Sequence, residues 1–111
     1  MDEELFDLCR EVSDKTGWHS KDLRLLGRGV KDVVEMFPLY TSDFILEKLP
    51  KYIAKPTTAY LTVMVGHSSG GYIAGFYQRV PRHWFHSQSA DTPLKSLLKL
   101  TIALHEAKEL K

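Results

Sequence analysis

Cysteine is all but missing from this 111-residue chain: Cys9 stands alone. A single thiol forms no internal disulfide and builds no thiolate-rich zinc site. Long apolar runs are missing too, with none approaching the ~18 residues a membrane-spanning helix needs. The opening Met1-Asp2-Glu3-Glu4 is acidic where a signal peptide would be basic. Neither sign of charge is in excess, since 15 Lys and Arg against 14 Asp and Glu leave +1, and so no global pull toward nucleic acid or membrane. Repeats and low-complexity tracts are absent. The expectation is a cytoplasmic protein without membrane contact, disulfide, metal or cofactor. What remains is 43% hydrophobic and 26% charged, the composition of an ordinary globule. A chain of this size makes one domain and buries roughly two-thirds of its unfolded surface.

Charge is uneven locally. Asp2, Glu3, Glu4, Asp7, Glu11 and Asp14 face only Arg10, and then Lys15, Lys21, Arg24, Arg28 and Lys31 face only Asp22. Leu5, Phe6, Leu8, Cys9 and Val12 recur at helical spacing, which predicts a helix over residues 1–17 with carboxylates at its positive end. Gly17 is its natural stop. Residues 18–40 lack a clear period; Gly27-Arg28-Gly29 breaks any helix, and Phe37-Pro38 forces extended backbone. They read as an irregular connecting segment with one short strand near residues 30–34. Thr41-Ser42-Asp43 offers three N-caps for a short helix carrying Phe44, Ile45, Leu46 and Leu49, ended near Pro50.

The middle alternates at period two. Leu61, Val63 and Val65 interleave with Tyr60, Thr62 and Met64, and Tyr72, Ala74 and Phe76 with Ile73, Gly75 and Tyr77. Trp84-Phe85-His86-Ser87-Gln88 makes a third, shorter strand. Short connections favour antiparallel pairing. Asp91-Thr92-Pro93 then opens the clearest helix, with a capping side chain ahead of proline at N1. Leu94, Leu97, Leu98, Leu104 and Ala107 line one face, with Lys95, Lys99, Glu106 and Glu109 mostly away from it. The fold expected is α+β: a three-stranded antiparallel sheet flanked by helices in the order α-α-β-β-β-α, the long C-terminal helix on the sheet. Residues 41–111 form its core.

Gly66-His67-Ser68-Ser69-Gly70 fits the G-x-S-x-G of a nucleophile elbow, with Ser68, Asp91 and His105 in hydrolase order. Three facts oppose it: a parallel sheet needs far more chain, no upstream βα unit exists, and the residues after Gly71 alternate at period two. A hairpin loop is the alternative. His83 and His86 are three apart, so on a strand they face opposite sides and share no metal. Basic and aromatic residues interleave at Tyr77, Arg79, Arg82, His83 and Trp84, as they would to pair phosphates and stack bases, or simply to fill a core.

Tyr40-Thr41-Ser42-Asp43 with Leu46-Glu47-Lys48-Leu49-Pro50, Gly71-Tyr72-Ile73-Ala74-Gly75-Phe76, and Ser89-Ala90-Asp91-Thr92-Pro93-Leu94 resemble the small phage- and prophage-encoded proteins of the phage α-β-α sandwich domain. The resemblance spans about two-thirds of the chain. It implies a fold and a viral or prophage context but no catalytic residue. The helix–three strands–helix order is also similar to double-stranded RNA-binding domains, whose phosphate-gripping positions would fall on Lys95 and Lys99. The function expected is that of a non-enzymatic accessory protein, in the host cytoplasm if phage-encoded. It would bind a host or viral protein through Arg79, Arg82, His83 and Trp84, with the His67, Ser68 and Ser69 loop. Nucleic-acid or nucleotide binding by the same patch is the alternative, a minimal hydrolase using Ser68 the second, and a homodimer through a sheet edge a further association.

Overall fold

A computed structural model describes residues 3–30, 33–54, 58–65 and 71–108. Helix α1 (Glu3–Thr16) starts with two glutamates in its first turn and stops where expected. Gly17 takes φ 69° and its N–H reaches the Ser13 carbonyl at 2.8 Å. That left-handed conformation is cheapest for glycine. Helix α2 (Ser42–Lys48) uses Thr41 as its N-cap, the hydroxyl accepting from the Phe44 N–H at 3.2 Å. Helix α3 (Pro93–Glu106) has Thr92 as N-cap and proline in its first turn. Asp91, the other capping candidate, instead pairs with Lys95.

Residues 18–40 correct the sequence reading. In place of one short strand near residues 30–34 they hold two longer ones, β1 (Arg24–Val30) paired antiparallel with β2 (Val33–Leu39) in a sheet of their own, while residues 18–23 belong to no helix or strand. The hairpin's glycines and Pro38 mask the period-two pattern. Its base joins the body, where β2 packs on α1 and Phe37 and Pro38 are buried. Tyr40 follows, almost wholly enclosed, its hydroxyl donating to the Trp18 carbonyl at 2.7 Å and its ring stacked on Phe44. Burial pushes both the Tyr40 phenol and the neighbouring Cys9 thiol above their ordinary pKa values.

The main sheet has four strands where three were expected. A two-residue β3 (Tyr52–Ile53) joins the edge of β4 (Ala59–Val65), followed by β5 (Tyr72–Gln78) and β6 (His83–Ala90), all antiparallel in that order. The chain order is thus α-β-β-α-β-β-β-β-α. Past Gly71 the chain returns as β5 beside β4, so no helix follows the G-x-S-x-G string.

Helix α3 is buried nearly all round, with Leu97, Leu98, Leu100, Thr101 and Leu104 at 0–1% exposure. It rests on β4, β5 and β6 on one side and meets α1 and α2 on the other. Its buried hydroxyls are satisfied within the helix: Ser96 donates to the Pro93 carbonyl and Thr101 to that of Leu97. Lys95 is buried as well, against the expectation that it faces solvent. Its ammonium lies 3.4 Å from Glu4 and 3.0 Å from Asp91. At the far end Lys15 meets Glu106 at 3.6 Å, so α1 and α3 run parallel, tied at both ends.

A buried ammonium depends on its carboxylates, whereas the exposed Glu4 and Asp91 return to water at little cost if the lysine is lost. Glu4→Gln with Asp91→Asn is expected to lose about 2 kcal/mol in urea denaturation, and Lys95→Met, which keeps the aliphatic stem, less than about 1. A neutral double substitution would contradict this reading.

Candidate functional site

Because side chains alternate along a strand, covering one face of the sheet leaves the other to be read directly. Ala59 on β4 and Ala74 and Phe76 on β5 are buried toward α3, with Leu61, Val63 and Phe85 packed against that core. The intervening residues form the opposite face: Tyr60, Thr62 and Met64 on β4, Ile73, Gly75 and Tyr77 on β5. No described element covers them. Tyr52 and Tyr60 are 56% and 62% exposed, and Met64 is 40% exposed.

The register adds an arrangement that strand patterns alone do not reveal. Tyr52 pairs with Tyr60, Tyr60 with Tyr77, and Tyr77 with Trp84. Directly paired residues share a face, so one aromatic residue from each strand forms a continuous row across the whole sheet. Tyr52 and Tyr60 rings lie 6.3 Å apart, and the Trp84 indole meets Tyr77 edge-on at 4.9 Å. Beside the Trp84 end is a concavity of about 520 Å³ walled by Thr62, Met64, Ile73, Tyr77, Trp84 and Arg82.

A bulge in β6 sets this up. Pairing with β5 slips by one residue between Ala74 and Phe76, and His86 takes φ 57°. The extra residue lets Phe85 face the core opposite Phe76 while Gln88, three positions on, lies opposite Ala74. The bulged strand presses on Gly75. A Cβ there would stand 2.9 Å from the Ser87 Cα, 3.1 Å from the Trp84 ring and 3.2 Å from the Phe85 oxygen. Glycine is what lets the Trp84 ring and the bulged strand approach this closely.

Of the residues singled out from sequence, Trp84 belongs to the row and Arg82 to the concavity. Arg79 is exposed in the same β5–β6 turn, which contains a cis Val80–Pro81 bond and is closed by Gln78 donating to the Pro81 carbonyl at 2.9 Å. His83 borders the concavity, yet its ring sits edge-on to Phe85 at 4.5 Å, on the other side of the strand from Trp84. His67, Ser68 and Ser69 lie outside the described residues. The partners Ser68 would need do not converge: Asp91 and His105 stand at opposite ends of α3, about 20 Å apart at 1.5 Å per residue. The Lys95 and Lys99 positions do not form a phosphate grip either. Lys95 is buried among carboxylates, and Lys99 donates to the Ser89 carbonyl at 3.2 Å.

Tyr52, Tyr60 and Met64 were missed as site residues, and so was a signal visible in the sequence. Residues 48–90 contain no Asp or Glu, while Lys48, Lys51, Lys55, Arg79 and Arg82 fall within them. The acids fall in residues 2–14, 22–35, 43–47 and 91–109, so the four-stranded sheet is the part of the molecule without carboxylates.

Gly75→Ala is expected to cost about 1–3 kcal/mol, the usual penalty of overpacking against backbone that cannot yield, and to weaken the near-UV signal of Trp84. An unchanged melting curve with an unchanged near-UV spectrum would contradict the close approach.

Comparison with known protein families, curated proteins and solved structures finds no match to this chain.

Proposed function

We propose that this chain is a non-enzymatic binding protein that acts by occupancy, and that the uncovered face of its four-stranded sheet receives a macromolecular ligand. The observation that carries the reading is the in-register row of Tyr52, Tyr60, Tyr77 and Trp84, two of whose rings are more than half exposed. A sheet turned to water on one side ordinarily shows polar residues there. Here that side carries four aromatic rings with Met64 and Ile73, the kind of contiguous apolar patch that marks interaction sites.

The surface is also preformed. Tyrosine and tryptophan offer large contact areas with only two side-chain torsions each, so little freedom is lost on binding. Tyr77 and Trp84 brace one another, and Gly75 and the β6 bulge hold the indole in place. The site is wider than the segment of residues 79–84.

A benzophenone amino acid placed at Tyr60 in the full chain, irradiated in the source cells, is expected to give a discrete adduct. The same group at Glu11, exposed on α1, is expected to give none, and Trp84→Ala should suppress the Tyr60 adduct. Identical products from both positions, or none from Tyr60, would overturn the assignment.

A further inference from the structure

Resting on the binding role proposed above, we infer that the occupant is a single-stranded nucleic acid laid across the strands along the Tyr52, Tyr60, Tyr77 and Trp84 row, its phosphates drawn to Arg79 and Arg82. Charge supports this first. No carboxylate occurs in residues 48–90, and exposed cations stand at the Trp84 end of the row, where Arg79 follows Tyr77 by two residues and Arg82 precedes Trp84 by two; Lys51, beside Tyr52, instead donates to the Leu46 carbonyl of α2 at 2.8 Å. The acidic α1 packs on α3, on the far side of the sheet. An anionic ligand is therefore directed to the aromatic face. A second copy of this chain stacked face to face would bring these cations against their counterparts.

Ring chemistry narrows the class. Unpaired bases are flat and stack on exposed aromatic side chains, with arginine adding phosphate contacts and stacking of its own. An acidic peptide would satisfy the arginines and leave the row unused. In a duplex the bases are already stacked inside, and a four-stranded sheet, about 14 Å across its three strand spacings, is broader than a major groove of about 12 Å. A mononucleotide engages one ring, or two, of the four. A row of this length matches two or three consecutive unpaired bases, as aromatic-faced sheets of RNA-binding modules hold them.

The test is fluorescence anisotropy of the full chain with labelled oligo-dT and oligo-rU of about ten nucleotides, a duplex of equal length, and poly-glutamate. The single strands are expected to bind at least about tenfold more tightly than duplex or poly-glutamate. Tyr60→Ala, at an exposed position that leaves the core untouched, should weaken binding about tenfold, and Trp84→Ala at least as much. Arg82→Ala should reduce the dependence of log affinity on log salt by about 0.7, the contribution of one phosphate on a single strand. Preference between the two oligonucleotides separates DNA from RNA as the natural source. Equal binding of poly-glutamate or duplex, or single-strand binding indifferent to both aromatic substitutions, overturns the inference. No oligonucleotide binding alongside a protease-sensitive adduct from the Tyr60 position overturns the nucleic acid and leaves the binding role standing; no binding and no adduct overturns both.

Discussion

The burial of α3 is the constraint on which everything else rests. Leu97, Leu98, Leu100 and Leu104 are sealed between the sheet below and α1 and α2 above. Each such side chain contributes roughly 1.5–3 kcal/mol relative to exposure, and among the described elements this helix buries the most apolar residues. A helix enclosed on all sides needs every other helix on its own side of the sheet. The ion pairs at its two ends, Lys95 with Glu4 and Lys15 with Glu106, fix α1 alongside it. With the three helices of the described residues committed to one face, none of them is left to cover the other. The exposed aromatic row follows from how the core is built.

Local structure was largely legible in the sequence, and long-range placement was not. Gly17, the threonine N-caps Thr41 and Thr92 and the proline at the start of α3 act within a few residues of themselves, so the helices could be read directly. The antiparallel return of β5 beside β4 was legible because alternation resumes after Gly71. The β1–β2 hairpin was hidden because two glycines and Pro38 stand where β-favouring residues ordinarily announce a strand. Strand β3 is only two residues long and exists by pairing with β4 rather than by its own pattern. Lys95 looked like a solvent position because helical spacing records polarity, not the carboxylates that α1 and the Asp91 turn bring to it.

The candidate site shows the same division. Arg79, Arg82 and Trp84 lie close together in the chain and were found as a cluster. The row joining Trp84 to Tyr77, Tyr60 and Tyr52 depends on turn lengths, on the β6 bulge and on a strand that pattern alone does not predict. A one-residue slip in any pairing would turn an aromatic ring inward. Gly75 and His86 therefore matter to the surface although neither belongs to the row: the glycine admits the bulged strand, and the bulge restores the facing that Trp84 and Phe85 require. The four-stranded sheet also lies in a stretch without carboxylates, so a net charge of +1 conceals an acidic helix on one side and an arginine-flanked end of the aromatic row on the other.

Hydroxyl-radical footprinting of the free protein, read by mass spectrometry, tests the one-sided burial most directly. Tyr52 and Tyr60 should be oxidised almost as fast as tyrosine in a short peptide, while Tyr40, 1% exposed, stays protected until the chain unfolds. Protection of Tyr60 equal to that of Tyr40 would mean that the face is covered in the free protein, and would contradict the account.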